Sequence, residues 1–289
     1  MRIKALLHSF SSFFYPLLCI PLIIITPTLA TKTLKKYPYK TLILIHGTFA
    51  AKEAWYQPGG DFYQALVYAF PDHIIKSYTW SGGPSYQDRL KAADNFTYYL
   101  KTNFYNYDDL IIVAHSHGVN VAIQALQQCQ KNKTPIIIAY FYTLAPPVDN
   151  VLYKPPMDII KELHNLFSYG DCVQTVQNLF ERTFLKEDFP RYGFITNTHI
   201  KINNLYPGHS DLHHPLIAYL LPQLPALVSK KDNCMIHLQS NGLMHVELDY
   251  ERERDLIFDK KFTETIIASF VDQRSIKMDS YASLTLRSE

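Results

Sequence analysis

Cysteine is scarce in this sequence, with 4 residues among 289. So few cysteines in a chain of this length exclude a small scaffold held together by disulfides. An excess of charge of one sign is also absent, because 28 Lys and Arg oppose 26 Asp and Glu, for a formal net charge of +2. Proteins that bind nucleic acids normally carry a strongly basic domain, so we expect no nucleic-acid partner.

Apolar residues, in contrast, are plentiful. Hydrophobic residues make up 47% of the chain and charged residues 19%. This composition supplies enough apolar surface to offset the conformational entropy lost on folding, which excludes general disorder. The length is that of one large α/β domain or two small ones.

The N-terminus has the layout of a secretory signal. Arg2 and Lys4 precede an apolar stretch over residues 10–25, and small residues follow up to Ala30. This order is typical of a cleaved signal peptide, so we expect cleavage after Ala30 and an exported protein, periplasmic or secreted. The alternative is an uncleaved membrane anchor, since residues 10–29 approach the roughly 20 residues that a spanning helix needs.

Short β-branched and aromatic runs alternate with stretches of helical periodicity. The predicted strands are 41–45, 73–80, 110–114, 136–143, 163–169 and 199–205, and the clearest predicted helices are 87–104 and 119–128. Runs without a polar residue, such as 42–45, are typical of strands buried on both faces in a parallel sheet. The alternation predicts an α/β domain with helices on both faces of its sheet.

The alternation of strands and helices ends after about residue 230. We therefore predict four segments along the chain. Residues 1–30 form the signal, and 31–230 form the α/β domain. Residues 231–276 form a hairpin and helix extension packed on that domain, and 277–289 form a flexible polar tail.

A β-hairpin is predicted within this extension. Asn241 and Gly242 lie between alternating runs, which is a turn signal. A three-residue loop, Ser240 to Gly242, pairs Leu238 with Met244 and keeps apolar residues on one face. We therefore expect this register.

The most informative stretch runs from residue 110 to 122, where an apolar strand leads through Ser116 directly into a helix. A serine at such a corner is held in a strained turn with its oxygen exposed, which requires small residues two before and two after it. Ala114 and Gly118 occupy those positions. The helix start also directs backbone N–H groups towards an oxyanion that forms near the serine. Ser116 is therefore a candidate nucleophile.

The corner at Ser116 resembles the nucleophile elbow of the α/β-hydrolase superfamily, with Ala114 in place of the usual first glycine. Upstream, residues 42–49 are similar to the strand and His-Gly loop that supply the second oxyanion donor in that superfamily. The resemblance implies an oxyanion hole made by the backbone N–H of His117 and that of Phe49 or Thr48, with Phe49 slightly favoured. It also implies a structural role for His46.

A serine hydroxyl needs a general base to act as a nucleophile at neutral pH. The superfamily places an acid and then a histidine after the serine. His209 follows Gly208 in a loop after the last predicted strand and resembles the base of these hydrolases, and His213 is the alternative. Asp171 ends the preceding strand and is the expected acid, with Asp149 as the alternative one strand earlier.

The aromatic residues after the first predicted strand fit two interpretations. Residues 49–63 carry several aromatic side chains that suit either an acyl-binding wall or the edge of the core. Arg89 lies near the start of a predicted helix, where we expect a salt bridge.

The resemblance implies a minimal α/β-hydrolase fold with about six mostly parallel strands and a C-terminal β-hairpin extension. Together with the predicted signal, it implies an exported serine hydrolase, similar to lipases and esterases, that cleaves carboxyl esters of lipid-like or acyl substrates. We also expect association with a membrane surface. No metal or cofactor is expected. The alternatives are an acyltransferase, thioesterase or amidase with the same triad, and a noncatalytic, envelope-anchored binding protein on a hydrolase scaffold.

Overall fold

The computed structural model describes most of the chain after its first 39 residues. The described ranges are 40–173, 182–185, 194–228, 233–240, 244–249, 263–269 and 283–288. The predicted signal of residues 1–30 lies outside the described residues. None of the helices within these ranges is long and apolar enough to cross a membrane.

Seven parallel strands form the main part of the sheet. In chain order they are β1 (Lys40–Ile45), β2 (His73–Tyr78), β3 (Tyr107–His115), β4 (Ile136–Leu144), β5 (Ile160–Phe167), β6 (Phe194–Ile202) and β7 (Asn233–Ser240). Their order across the sheet is β2-β1-β3-β4-β5-β6-β7, and all neighbours are parallel. The prediction of a mostly parallel sheet with about six strands is confirmed, and the first strand of the predicted hairpin adds a seventh.

Helices cover both faces of this sheet, as the sequence predicts. The helices are α1 (Asp61–Ala69), α2 (Tyr86–Asn103), α3 (His117–Lys131), α4 (Pro215–Leu220) and α5 (Leu224–Leu227). Helices α1 and α4 pack on one face, and α2 and α3 pack on the other. The sheet is thus the middle layer of three.

Two hydrophobic cores, one on each face, explain why the central strands are apolar throughout. In β1, Leu42 and Leu44 belong to the core with α1, whereas Ile43 and Ile45 belong to the core with α3. All four side chains have no exposed surface. A strand buried on both faces cannot alternate apolar with polar residues, which is why the period-two pattern is missing from this run.

The predicted hairpin is present, but its register differs from the predicted one. Strand β8 (Met244–Asp249) runs antiparallel to β7 and pairs Leu238 with Val246 rather than with Met244. Ser240, which the prediction placed in the loop, instead pairs with Met244. A shift of two positions keeps the same side chains on the same face, so the apolar pattern alone does not distinguish the two registers.

The extension and the tail contain strands where the sequence predicts a helix and a flexible end. Strand β9 (Thr263–Ser269) pairs with β8, and β10 (Ser283–Ser288) pairs with β9. Both predictions are wrong for these residues. The β-branched residues of β9 favour a strand, and so does the alternation of Leu284 and Leu286 in β10. The segment limits at residues 230 and 276 stay predictions.

Candidate active site

Ser116 stands at the corner between the end of β3 and the start of α3, with φ 54° and ψ −135°. Such a backbone conformation costs a non-glycine residue on the order of 1–3 kcal/mol, so the surroundings must hold it in place. The Ser116 N–H donates to the Leu144 carbonyl on β4 (2.9 Å), and the Ser116 carbonyl accepts from the Val119 N–H (2.9 Å). Ser116 therefore lies at the carboxyl edge of the sheet, where open α/β sheets bind ligands.

Two glycines allow the chain to pass close to this corner. A Cβ at Gly118 would overlap the carbonyl oxygen of His46, and a Cβ at Gly47 would lie 2.7 Å from the Cβ of Ser116. The loop after β1 is thus packed directly against the corner. Ala114, two residues before the serine, is fully buried. The need for small residues that the sequence suggested has a steric origin here.

The structure brings together the three side chains of the expected triad. His209 Nε2 lies 2.9 Å from Ser116 Oγ, and His209 Nδ1 donates to Asp171 Oδ2 at 2.7 Å. A carboxylate only accepts, so Nδ1 carries the ring proton of the neutral imidazole and Nε2 is left to accept from the serine hydroxyl. Asp171 is fully buried and the His209 side chain is 16% exposed. The base thus faces both the serine and solvent.

The loops that carry the acid and the base are held against each other. A Cβ at Gly170 would overlap the carbonyl oxygen of Tyr206, so glycine permits this close approach. The Tyr169 N–H donates to His199 Nε2 (3.3 Å), and the His199 ring stacks on that of Tyr206 (centroids 5.1 Å apart). Asp211 accepts from the Gly208 N–H (2.8 Å), as a local cap of the base loop.

Asp149 and His213, the alternative acid and base, have contacts other than those of the expected triad. Asp149 Oδ1 accepts from the N–H groups of Val151 (3.0 Å) and Leu152 (2.9 Å), the arrangement of a turn-forming aspartate. His213 stacks on Trp55, with ring centroids 4.3 Å apart and an interplanar angle of 7°. Burial lowers the pKa of His213 to about 4, so its ring is neutral at physiological pH.

The expected oxyanion donors of the loop after β1, the N–H groups of Phe49 and Thr48, differ in their hydrogen bonds. The Phe49 N–H donates to the Gly82 carbonyl (2.9 Å), so it is not available to an oxyanion in this conformation. The Thr48 N–H, in contrast, has no partner among the described residues, so Thr48 is the better placed of the two expected donors in this conformation. Thr48 Oγ1 also lies 3.1 Å from Nδ1 of His117, the residue that would supply the other donor. Gly82 itself has a positive φ of 66°, a backbone conformation that favours glycine.

His46 has a purely structural set of contacts. Its Nδ1 donates to the Gly47 carbonyl (2.7 Å), and its Nε2 accepts from the Trp80 N–H (3.1 Å). The Trp80 indole in turn donates to the His46 carbonyl (2.8 Å). Burial lowers the pKa of His46. Both ring nitrogens are engaged, so this histidine fixes the loop after β1 and is not a base.

His115 is a residue of the site that the sequence analysis did not single out. Its Nε2 donates to the backbone carbonyl of His209 at 3.0 Å, and its ring lies 4.8 Å from the His209 ring. The residue is buried, and that burial lowers its pKa well below the usual value. A polar residue at the end of an apolar strand, directly before the serine, was the signal available in the sequence.

We expect His115→Phe to lower kcat for ester substrates about 10- to 100-fold, because loss of the donor to the His209 carbonyl frees the base loop to shift. KM should change much less, since the His115 ring is buried among the rings of Trp55, His209 and His213. His115→Gln is the matched control, because it retains a donor at this position. Steady-state kinetics of both variants test the expectation, and equal losses in the two variants would contradict it.

The aromatic loop after β1 belongs mainly to the core. Tyr56 and Phe62 have no exposed surface, and the Tyr63 hydroxyl donates to the Ile75 carbonyl (3.0 Å). Trp55 reaches the site through its stacking on His213 and its edge contact with His115. Most of these aromatic residues therefore belong to the edge of the core and do not form an acyl-binding wall.

The histidines of the site predict an acid-sensitive fold. The pKa values of His117, His199 and His213 are lowered to about 4, in each case chiefly by burial. The folded state keeps these rings neutral, whereas the unfolded chain protonates them near the usual histidine pKa of 6.5. Their contribution to stability is complete above that pH and is lost as the pH falls towards 4.

Urea denaturation at a series of pH values measures this loss. The free energy of unfolding should fall steadily between about pH 6.5 and pH 4. His213→Phe keeps a ring against Trp55 but removes one titrating group, so its stability should fall less steeply over that range. An unchanged slope in this variant would contradict the expectation.

Comparisons with known proteins give a likeness in fold only. No protein-family model matches the sequence, and no curated protein matches it either. The chain is similar to a thioesterase domain of NocB, solved in covalent complex with a fluorophosphonate nocardicin G analogue, at 14% identity and a TM-score of 0.40, over 65% of this chain and 94% of that one.

Two esterases give similar values. An arylesterase is 11% identical with a TM-score of 0.41, over 65% of this chain and 74% of that one. A hyperthermophilic esterase from the archaeon Pyrobaculum calidifontis is 10% identical with a TM-score of 0.41, over 66% of this chain and 75% of that one. Likenesses this distant carry no assignment of activity or of individual residues.

Proposed function

We propose that this chain, whose fold is that of the α/β-hydrolases, is a serine hydrolase that cleaves carboxyl esters of acyl or lipid-like substrates. The observation that carries the proposal is the hydrogen-bonded chain from Ser116 through His209 to Asp171, with distances of 2.9 and 2.7 Å. A strained serine, a histidine in the correct tautomer and a buried carboxylate are the parts that nucleophilic catalysis on an acyl carbon needs.

The geometry suggests the following course of reaction. His209 Nε2 takes the hydroxyl proton as Ser116 Oγ attacks the ester carbonyl, and the N–H groups of His117 and Thr48 stabilise the oxyanion. The protonated His209 then gives its proton to the leaving alcohol, and an acyl-enzyme remains. Water, deprotonated by His209, attacks the acyl-enzyme, and the acid is released with Ser116 restored. Asp171 holds the ring and stabilises its positive charge throughout.

Exposed apolar side chains around the site support an acyl or lipid-like substrate. Phe49 follows β1, Val151 follows β4 and Leu205 follows β6, so all three lie at the edge of the sheet where Ser116 stands. Their exposed fractions are 80%, 93% and 72%. Large apolar side chains exposed at the edge that carries the site are available to contact apolar ligands or membranes. Membrane-surface association and, from the N-terminal sequence, export are parts of the same proposal.

A panel of substrates that differ only in the scissile bond tests the proposal. The purified chain would be given a butyryl ester, thioester and anilide in turn, with Ser116→Ala as the background. Preferred cleavage of the ester, abolished in the variant, is the expected result. Preference for the thioester or the amide would indicate a thioesterase or an amidase with the same triad. No cleavage of any member by the folded chain would favour a noncatalytic binding protein.

A further inference from the structure

Arg89 is a buried cation beside the site to which the reaction above assigns no role. It lies in the first turn of α2 and is only 9% exposed. Its Nε donates to the Tyr153 hydroxyl (3.3 Å), and its Nη1 donates to the Pro84 carbonyl (2.8 Å). Both acceptors are neutral. The third nitrogen, Nη2, has no partner among the described residues and is not fully buried.

The salt bridge expected for Arg89 is absent among the described residues. The adjacent Asp88 is half-buried, and its carboxylate accepts from the N–H (3.3 Å) and the hydroxyl (2.6 Å) of Ser85 in the cap of α2 rather than from Arg89. Charged side chains this deeply buried are nearly always paired with an opposite charge, because an unpaired buried ion is costly. Arg89 therefore has no direct ion pair among the described residues, and the nearby Asp88 carboxylate acts on it only through its charge.

The two acceptors of Arg89 belong to loops that border Ser116 on either side. Pro84 follows Gly82, whose carbonyl accepts the Phe49 N–H of the oxyanion loop. Tyr153 follows β4, whose last residue, Leu144, accepts the Ser116 N–H. Helix α2 also packs along α3, and both helices begin at this edge of the sheet.

The electrostatics of His117 agree with this position. After burial, the largest cause that lowers the pKa of His117 is the charge of Arg89. His117 directly follows the nucleophile, so the field of the guanidinium reaches the first turn of α3 beside Ser116. No carboxylate contributes to that shift.

We infer that Arg89 binds an anionic group, a carboxylate or a phosphate, of the ester substrate. The inference rests on the proposed ester hydrolysis at Ser116. A guanidinium presents a planar fork of donors that matches both anions, and here two of its nitrogens are already fixed by Pro84 and Tyr153. A substrate anion at Nη2 would supply the missing opposite charge without moving the side chain. The preferred esters are thus acyl compounds that carry one negative charge close to the scissile bond.

Two matched pairs of esters separate the possible sources of the anion. The 4-nitrophenyl esters of butyrate and of glutarate differ by a carboxylate on the acyl side. A monoacylglycerol and the corresponding lysophosphatidate differ by a phosphate on the alcohol side. We expect the wild-type chain to prefer the charged member of one pair by about 10- to 100-fold in kcat/KM, the range of a charge-assisted hydrogen bond. The preference should shrink as salt is added.

Substitutions at Arg89 and Tyr153 test whether that preference depends on the guanidinium. Arg89→Gln should abolish the preference, because kcat/KM should fall far more for the charged ester than for the neutral one, and Arg89→Lys should retain part of the preference. Tyr153→Phe is the matched control, because it removes one contact of Arg89 but leaves the charge, so the preference should persist. A purely structural Arg89 would lower kcat/KM for charged and neutral esters equally, which would overturn the inference.

Measurements on the unaltered chain keep the inference testable if a variant does not fold. Glutarate and inorganic phosphate should each be tested for a rise in the melting temperature of the wild-type chain, and we expect at least one to bind. A fluorophosphonate that labels Ser116 in a chain with neither a substrate preference nor anion binding would overturn the inference and leave the proposed function intact. A chain that binds the anion through Arg89 but is not labelled would overturn the proposed function instead.

Discussion

Ser116→Ala should lower the turnover of ester substrates by about 10⁴- to 10⁶-fold. Alanine removes the oxygen that attacks the acyl carbon but keeps a small side chain in the strained backbone at φ 54°. The fold should therefore survive, with both backbone hydrogen bonds to Leu144 and Val119 retained. Steady-state kinetics, with circular dichroism to confirm folding, would measure the effect.

Ser77→Ala is the matched control for the loss of one hydrogen-bonded serine hydroxyl. Ser77 lies in β2 and donates to the Tyr56 carbonyl, away from the triad. Its loss should lower the free energy of unfolding by about 1 kcal/mol with turnover unchanged. Retention of a tenth or more of the wild-type turnover by Ser116→Ala would mean that another group is the nucleophile.

The second large effect is expected from Asp171→Asn, which should lower kcat about 10⁴-fold. The asparagine amide can present its NH₂ group to His209 Nδ1, and the ring would then carry its proton on Nε2, facing Ser116. In that tautomer the ring cannot accept the serine proton. Asp171 has no exposed surface, so water cannot replace the lost carboxylate.

Asp149→Asn tests the alternative acid in the same experiment. The Asp149 side chain accepts from two backbone N–H groups of a turn, and asparagine keeps an acceptor there. Its turnover should stay within a few-fold of wild type, whereas a large loss in this variant and a small one in Asp171→Asn would exchange the two roles.

The order of the elements and the three triad side chains could be predicted from the sequence, because both depend on local patterns. Apolar runs marked the buried strands, and a serine between small residues marked the corner. Gly170 and Gly208, each directly before the residue concerned, marked the loops of Asp171 and His209, and Gly170 permits the close approach of its loop to the Tyr206 carbonyl.

Strand limits were harder to predict where polar residues are buried. Strand β6 begins at Phe194, five residues before the predicted start. Thr196, Asn197 and Thr198 in this strand are buried and give no apolar run. The buried Asn197 side chain bonds both the N–H and the carbonyl of Phe184 (3.0 Å each). This tertiary contact leaves no local pattern in the sequence.

The choice of oxyanion donor also depended on a long-range contact. Thr48 and Phe49 are adjacent, and only the bond of the Phe49 N–H to Gly82 on a different loop separates them. The role of His115 likewise arises from a partner 94 positions away, the carbonyl of His209. Local patterns identify the reacting side chains, whereas their supporting contacts come from tertiary packing.

Labelling with a fluorophosphonate, followed by mass mapping of the modified peptide, tests most directly that Ser116 is an activated nucleophile. The purified wild-type chain should gain a single adduct on the peptide that contains Ser116. The adduct should be absent from Ser116→Ala and form far more slowly in His209→Ala, where the base is missing. A folded wild-type chain that gains no adduct, or gains it on another serine, would contradict the account.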